Sequence, residues 1–339
     1  MTFTGVVARV DLRGVVVLDD AGRVWAAAVR KRLQDPGGRL GNAIVVGDAV
    51  TVEADEGASP DDDSTGAVVI DVAPRRNRFE RAAAGQGPGG RIQITAANLD
   101  RVLVVAALRD PPLREGLLDR IAVTCEALGL PLVIALSKAD LVPASEVAAA
   151  SAVYRRAGYE VHALAAPQGL GVPELRAALA GRRTLVVGHS GVGKSTLLNA
   201  LAPELRLAIG LVNAKTGKGR HTTTAATLAR LDAGPPPTEV IDTPGVRTFG
   251  LPRLDPHDLP RLFPEWRGRG PCRFSDCAHR DEPGCAMHAA LDEGAIAEDR
   301  YRSYVRLRDE LEAGTERRAA ARRAGAPRVK APGARKAPR

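Results

Sequence analysis

Five short runs of β-branched and apolar residues open this chain, separated by Gly, Asp and Pro. They read GVVARV, GVVVLDD, VWAAAV, AIVVGDAVTVEA and GAVVIDV, and each predicts a strand. No helix of useful length interrupts them, save a stretch around 31–40. Five strands in about 75 residues fit a small closed barrel, with the OB-fold the leading form. Arg75, Arg76, Arg78 and Arg81 then lead into a Gly-rich link, AAAGQGPGG.

From Leu99 the pattern changes. DRVLVVAAL and PLVIALSKADL read as buried strands, and YEVHALAA and RRTLVVG as two more. Between them GLLDRIAVTCEALGL, SEVAAASAVYRRAGY and VPELRAALAG carry helical spacing, and STLLNALA follows the last strand. TLARLD and PTEVIDTPG add two strands. Alternating strands and helices predict a parallel, doubly wound α/β sheet. After Gly250 the chain turns rich in Pro, Arg and Cys, then helical from about 284 to 313. The expected layout is a β-barrel at 1–75, a linker at 76–97, an α/β domain at 98–250, a mostly helical metal-binding domain at 251–315 and a disordered basic tail at 316–339.

The formal charge is +8 over 339 residues. Nine Lys or Arg and no acid lie between Arg317 and Arg339, so the remainder stands at −1. The basicity therefore belongs to the tail. Two readings stand for it: several phosphate contacts to nucleic acid, or a solvated, biased end. No run approaches the roughly 18 apolar residues of a membrane span. The charged start, with Arg9, Asp11 and Arg13, does not read as a signal peptide. The expectation is a soluble cytoplasmic protein without membrane partners, by default a monomer.

GHSGVGKST at 188–196 is a complete phosphate loop, set between an apolar strand and a helix. Gly188, His189, Ser190, Gly191, Val192, Gly193, Lys194, Ser195 and Thr196 are therefore candidate nucleotide contacts. Glycines let backbone N–H groups close round phosphate oxygens, and the helix N-terminus adds partial positive charge. Lys194 is expected on the β- and γ-phosphates and Ser195 on Mg²⁺. DTPG follows a second strand. There Asp242 is a carboxylate for Mg²⁺ and Gly245 a backbone N–H for the γ-phosphate.

The base is read from Ser137-Lys138-Ala139-Asp140, which resembles the Asn-Lys-x-Asp element of GTPases. A carboxylate there accepts guanine N1–H and the 2-amino group, two donors that adenine lacks. Lys138 can lay its methylene stem along the base. Ser137 is shorter than the usual Asn and offers fewer hydrogen bonds. Ala163-Leu164 is the expected base-edge loop.

Asp140 precedes Lys194, whereas ordinary GTPases run the other way. That order, the β-rich start and a terminal Cys/His cluster together resemble the RsgA (YjeQ) family of circularly permuted, ribosome small-subunit-dependent GTPases. SKAD, GHSGVGKST, GRHTTT at 219–224, DTPGVRTFGL at 242–251 and CRFSDCAHRDEPGC at 272–285 carry the resemblance, over about residues 1–312. It implies an OB-fold, a GTPase domain and a zinc domain. It also implies a role in late maturation of the small ribosomal subunit, with hydrolysis stimulated by that subunit. The partners implied are this subunit, its rRNA, and GTP or GDP.

Where many GTPases place a water-orienting Gln after DxxG, this chain has Val246. His221 in GRHTTT is the catalytic candidate, alongside Lys194. The alternative for His221 is an RNA contact or a loop cap. Thr222, or else Thr223, matches the switch threonine that completes a Mg²⁺ shell. Cys272, Cys277, His279 and Cys285, spaced C-x4-C-x-H-x5-C, suit one tetrahedral, structural Zn²⁺. His288 is a poorer ligand. Two other readings compete: an RNA-binding assembly module that binds GTP with little hydrolysis, and an ATP-dependent P-loop enzyme. Asp140 argues against the latter.

Overall fold

The structure, a computed structural model, describes residues 1–11, 14–33, 44–60, 66–82, 92–202, 226–232, 234–243 and 249–325. The first five strands are β1 (Thr2–Val10), β2 (Val15–Asp19), β3 (Val24–Val29), β4 (Ala49–Ala54) and β5 (Ala67–Val72). They run in the order β1-β2-β3-β5-β4, and β4 returns to pair with β1, which closes a barrel. Alternate residues point inward. Val7, Val17, Trp25, Val52 and Val69 fill the interior. The run AIVVGDAVTVEA is a strand only from Ala49. Gly47 turns the chain at φ +91°, where a Cβ would meet Ala97 O at 2.2 Å. Asp48, fully buried, then caps that turn by accepting the Val45 N–H at 2.9 Å and both arms of Arg75 at 2.7 and 2.8 Å.

The segment expected as a linker is partly structured. β6 (Arg78–Ala82) and β7 (Ile92–Ala97) pair antiparallel as a separate two-stranded sheet. RFERA and IQITAA are short and flank a Gly-rich run, which masks their strand pattern. Burial of Phe79 and Ile94 holds them, with the Phe79 ring 5.9 Å from Phe249.

The second domain has β8 (Arg101–Ala107), β9 (Leu132–Ser137), β10 (Glu160–Ala163), β11 (Arg183–Gly188), β12 (Thr227–Arg230) and β13 (Glu239–Asp242). The order is β10-β9-β8-β11-β13-β12. All neighbours are parallel except β12, which runs antiparallel to β13. Every residue of β9 is buried, as a strand covered on both faces requires. Helices α1 (Glu115–Leu128), α2 (Ala144–Arg156), α3 (Val172–Leu179) and α4 (Lys194–Leu201) cover the sheet. The strand carrying the phosphate loop stands beside β8, which comes much earlier in the chain, so the sheet is wound in permuted order. The barrel joins it where β1 pairs antiparallel with β12, at Arg9 and Thr227.

The C-terminal part holds α5 (Ala286–Asp292) and α6 (Glu298–Gly325). The expected boundary at 316 therefore falls inside a helix; Ala, Arg and Glu favour its continuation. Residues 326–339 of the expected tail lie outside the described residues. Phe263, Trp266, Tyr304 and Leu311 form this domain's core, and Val123 of α1 enters it. Arg300 on α6 is 1% exposed and bridges two acids. It meets Asp119 of α1 at 2.5 Å and Glu265 at 2.6 Å, and its guanidinium lies 4.6 Å from the Phe263 ring centre. Arg120 of α1 also holds Glu310 of α6 through both arms, at 2.7 and 2.5 Å.

Candidate functional site

The phosphate loop joins β11 to α4. Gly191 and Gly193 adopt φ +82° and +89°, conformations that β-carbons disfavour. At Gly188 a Cβ would meet Val105 O at 2.4 Å, so only glycine lets the loop lie this close to β8. Lys194 is buried at the start of α4, and its ammonium donates to the carbonyls of Gly188 (3.0 Å) and His189 (3.2 Å). Ser195 and Thr196 are exposed at the helix N-terminus. His189 receives Arg114 Nη1 at 3.1 Å on Nε2, while its Nδ1 lies 2.8 Å from Ser190 O.

Asp242 ends β13 next to this loop, and Thr243 anchors the corner by donating to Val186 O at 2.8 Å. Burial pushes the Asp242 carboxyl above its ordinary pKa, against the pull of Lys194. Burial likewise pushes the Lys194 ammonium down, against Asp242. Asp242 Oδ1 is buried with no hydrogen-bond partner among the described residues. A buried, unsatisfied carboxylate oxygen facing an anion cradle fits a hydrated divalent cation.

The base-reading residues gather at the ends of β9 and β10. Ser137 is buried and its hydroxyl donates to Val192 O of the phosphate loop at 2.6 Å. Lys138 stands at φ +57° and its ammonium donates to Asp110 O. Asp140, in a 3-10 turn, is exposed, and Gln168 donates to its Oδ2 at 3.2 Å. Leu164 is fully buried behind this turn. Its N–H donates to Leu136 O (2.8 Å) and its carbonyl accepts from Ala139 (3.0 Å).

Some 30 residues after β13, Cys272, Cys277, His279 and Cys285 bring their ligand atoms within 4.8 Å of one another. His279 Nδ1 lies 3.4 Å from both Cys272 Sγ and Cys285 Sγ. Gly284, at φ +76°, turns the chain back so that Cys285 can reach the others. This Cys3His set could hold a metal ion, and it leaves no open position on a tetrahedral one. His288 is not among them; it bonds Tyr301 Oη at 2.8 Å.

A family model described as RsgA GTPase matches residues 72–252, and that stretch contains the base reader, the phosphate loop and Asp242. This chain belongs to the RsgA GTPase family. It is 40% identical to the small ribosomal subunit biogenesis GTPase RsgA of Gemmatimonas aurantiaca, over 87% of this chain and 93% of that protein. The protein so named in Chlorobaculum parvum is 36% identical, over 92% and 99%. Among solved structures, YjeQ from Thermotoga maritima superposes with a TM-score of 0.68 at 29% identity, covering 92% of this chain and 99% of that one. YloQ, a circularly permuted GTPase, shares the fold at a TM-score of 0.65 and 24% identity.

Of the expected site residues, His221, Thr222, Thr223, Gly245 and also Val246 lie outside the described residues. The structure brings Ser137, Lys138, Asp140, Lys194, Ser195 and Asp242 to one edge of the sheet. It changes the picture at Leu164. The Leu164 amide is committed to the sheet, so it offers no free N–H to a ligand. The first residue of the following 3-10 turn is Ala166. Sequence reading missed Arg114, Asp110 and Gln168. Their partners lie 28 to 75 residues away, and no local pattern marks them.

Proposed function

We propose that this chain is a GTPase acting in maturation of the small ribosomal subunit. The observation that carries the reading is the convergence of Asp140, Lys194 and Asp242 at one sheet edge, despite their permuted order. Asp140 takes the Watson–Crick edge of guanine, and Lys138 lies along the base. Amides of residues 189–194 and the Lys194 ammonium hold the phosphates. The base-edge contact falls to the turn opening at Ala166, because the Leu164 amide is spent on Leu136. Ser195, Asp242 and Thr222 would hold Mg²⁺, which when bound neutralises charge on the phosphates. His221 orients the attacking water, a role that Val246 has no hydrogen bond to fill. Cys272, Cys277, His279 and Cys285 hold one structural Zn²⁺. The chain acts in the cytoplasm as a monomer, and arginines such as Arg30 beside the barrel and Arg78 of β6 meet rRNA phosphates.

The test is GTP turnover measured with and without purified small ribosomal subunits. The expected result is slow turnover alone and at least tenfold faster turnover with subunits. No turnover in either condition would favour the second reading, an RNA-binding assembly module, which Val246 keeps open. Replacing His221 with Ala should abolish the stimulated rate and leave GTP affinity intact.

A further inference from the structure

Guanine presents two donors to Asp140, but its N7 is an acceptor and needs a donor from the protein. The residue placed to supply one is Ser137. A serine hydroxyl has a single hydrogen, whereas an asparagine amide has two. In this chain the hydrogen is already engaged: Ser137 Oγ lies 2.6 Å from Val192 O and 3.3 Å from Ala106 O. Both neighbours are carbonyls, which only accept. Turning the hydroxyl toward a base would leave two oxygen lone-pair regions facing each other at 2.6 Å, in a buried position.

Two other side-chain donors nearby, among the described residues, already have partners. The Lys138 ammonium is drawn to Asp110 O, on the loop between β8 and α1. The Gln168 amide is on Asp140 Oδ2. Ser137 therefore spends its one donor clamping the base reader to the phosphate loop.

We propose that this site supplies no hydrogen bond to guanine N7, so it selects guanine through Asp140 and accepts 7-deazaguanine nucleotides as readily as GTP. The inference rests on the reading of Asp140 as the guanine contact. With N7 facing water in the bound state as in the free one, replacing N7 by C–H removes no protein contact.

The experiment uses the full-length protein and competition against a fluorescent GDP analogue by GTP, 7-deaza-GTP and ATP. The expected result is GTP and 7-deaza-GTP affinities within about threefold of each other, with ATP weaker by about a hundredfold or more. A loss greater than threefold for 7-deaza-GTP, with ATP still weak, overturns this inference and leaves the guanine reading standing. Equal competition by ATP and GTP instead overturns the guanine reading beneath it. In Ser137→Asn the second N–H becomes free for N7, and a preference of about tenfold for GTP over 7-deaza-GTP is expected to emerge. Ser137→Ala should weaken both nucleotides in equal proportion. If Ser137→Asn does not fold, the wild-type comparison alone decides.

Discussion

Asp140, the residue to which the proposed function gives the choice of base, has its carboxylate exposed at the rim, with Gln168 its side-chain partner among the described residues. Asp140→Asn replaces one of two acceptor oxygens by an NH2 donor, which faces either N1–H or the 2-amino group of guanine in each orientation. The GTP-over-ATP preference should fall by about a hundredfold, as read by nucleotide competition. Asp140 and the phosphate loop were legible in the sequence because each motif is contiguous and its backbone demands are local. The clamp from Ser137 to Val192 was not, since it spans 55 residues and depends on two strand ends meeting. The engagement of the Leu164 amide was hidden for a related reason: an amide's availability depends on the sheet it pairs with, which spacing does not reveal.

Two charge clusters help to tie the domains together. Arg300 of α6 is enclosed by Asp119, Glu265 and the Phe263 ring. Arg300→Leu leaves two buried carboxylates without their cation, so global stability should drop by about 3–5 kcal/mol in denaturant unfolding. On the barrel side, Asp100 accepts the Arg183 N–H at 2.7 Å and the Arg76 guanidinium at 2.5 Å. Burial raises its pKa, but these two donors outweigh it and hold the carboxyl below its ordinary value. A carboxyl depressed by folding contributes stability above its unfolded pKa and loses it as pH falls through the folded one. Stability should therefore decline below about pH 4, and Asp100→Asn should flatten that decline in acid unfolding curves. The long apolar runs of β8, β9 and β11 made those strands readable. The β6–β7 hairpin was not, because its strands are short and its stability comes from Phe79 packing against a residue 170 positions away.

At the scale of the whole molecule, the Cys3His cluster folds its segment against α6 and so reaches α1. Arg280, next to His279, donates to Asp309 and to Glu312 of α6. Removing the metal with a chelator, or replacing Cys277 with Ser, should lower the unfolding temperature and expose the C-terminal core to protease. Nucleotide binding by the α/β domain should survive. The cluster was plain in the sequence because four ligands fall within 14 residues. The contacts that couple it to the nucleotide domain, such as Asp119–Arg300 across 181 residues, leave no trace there.

Arg9 on the barrel wall is laddered to Thr227, the first residue of β12. The Thr-rich stretch at 219–224 thus feeds within a few residues into a strand stitched to that wall. Torque applied to the barrel by a large particle would arrive at Thr227, and so at the start of β12, through this pairing.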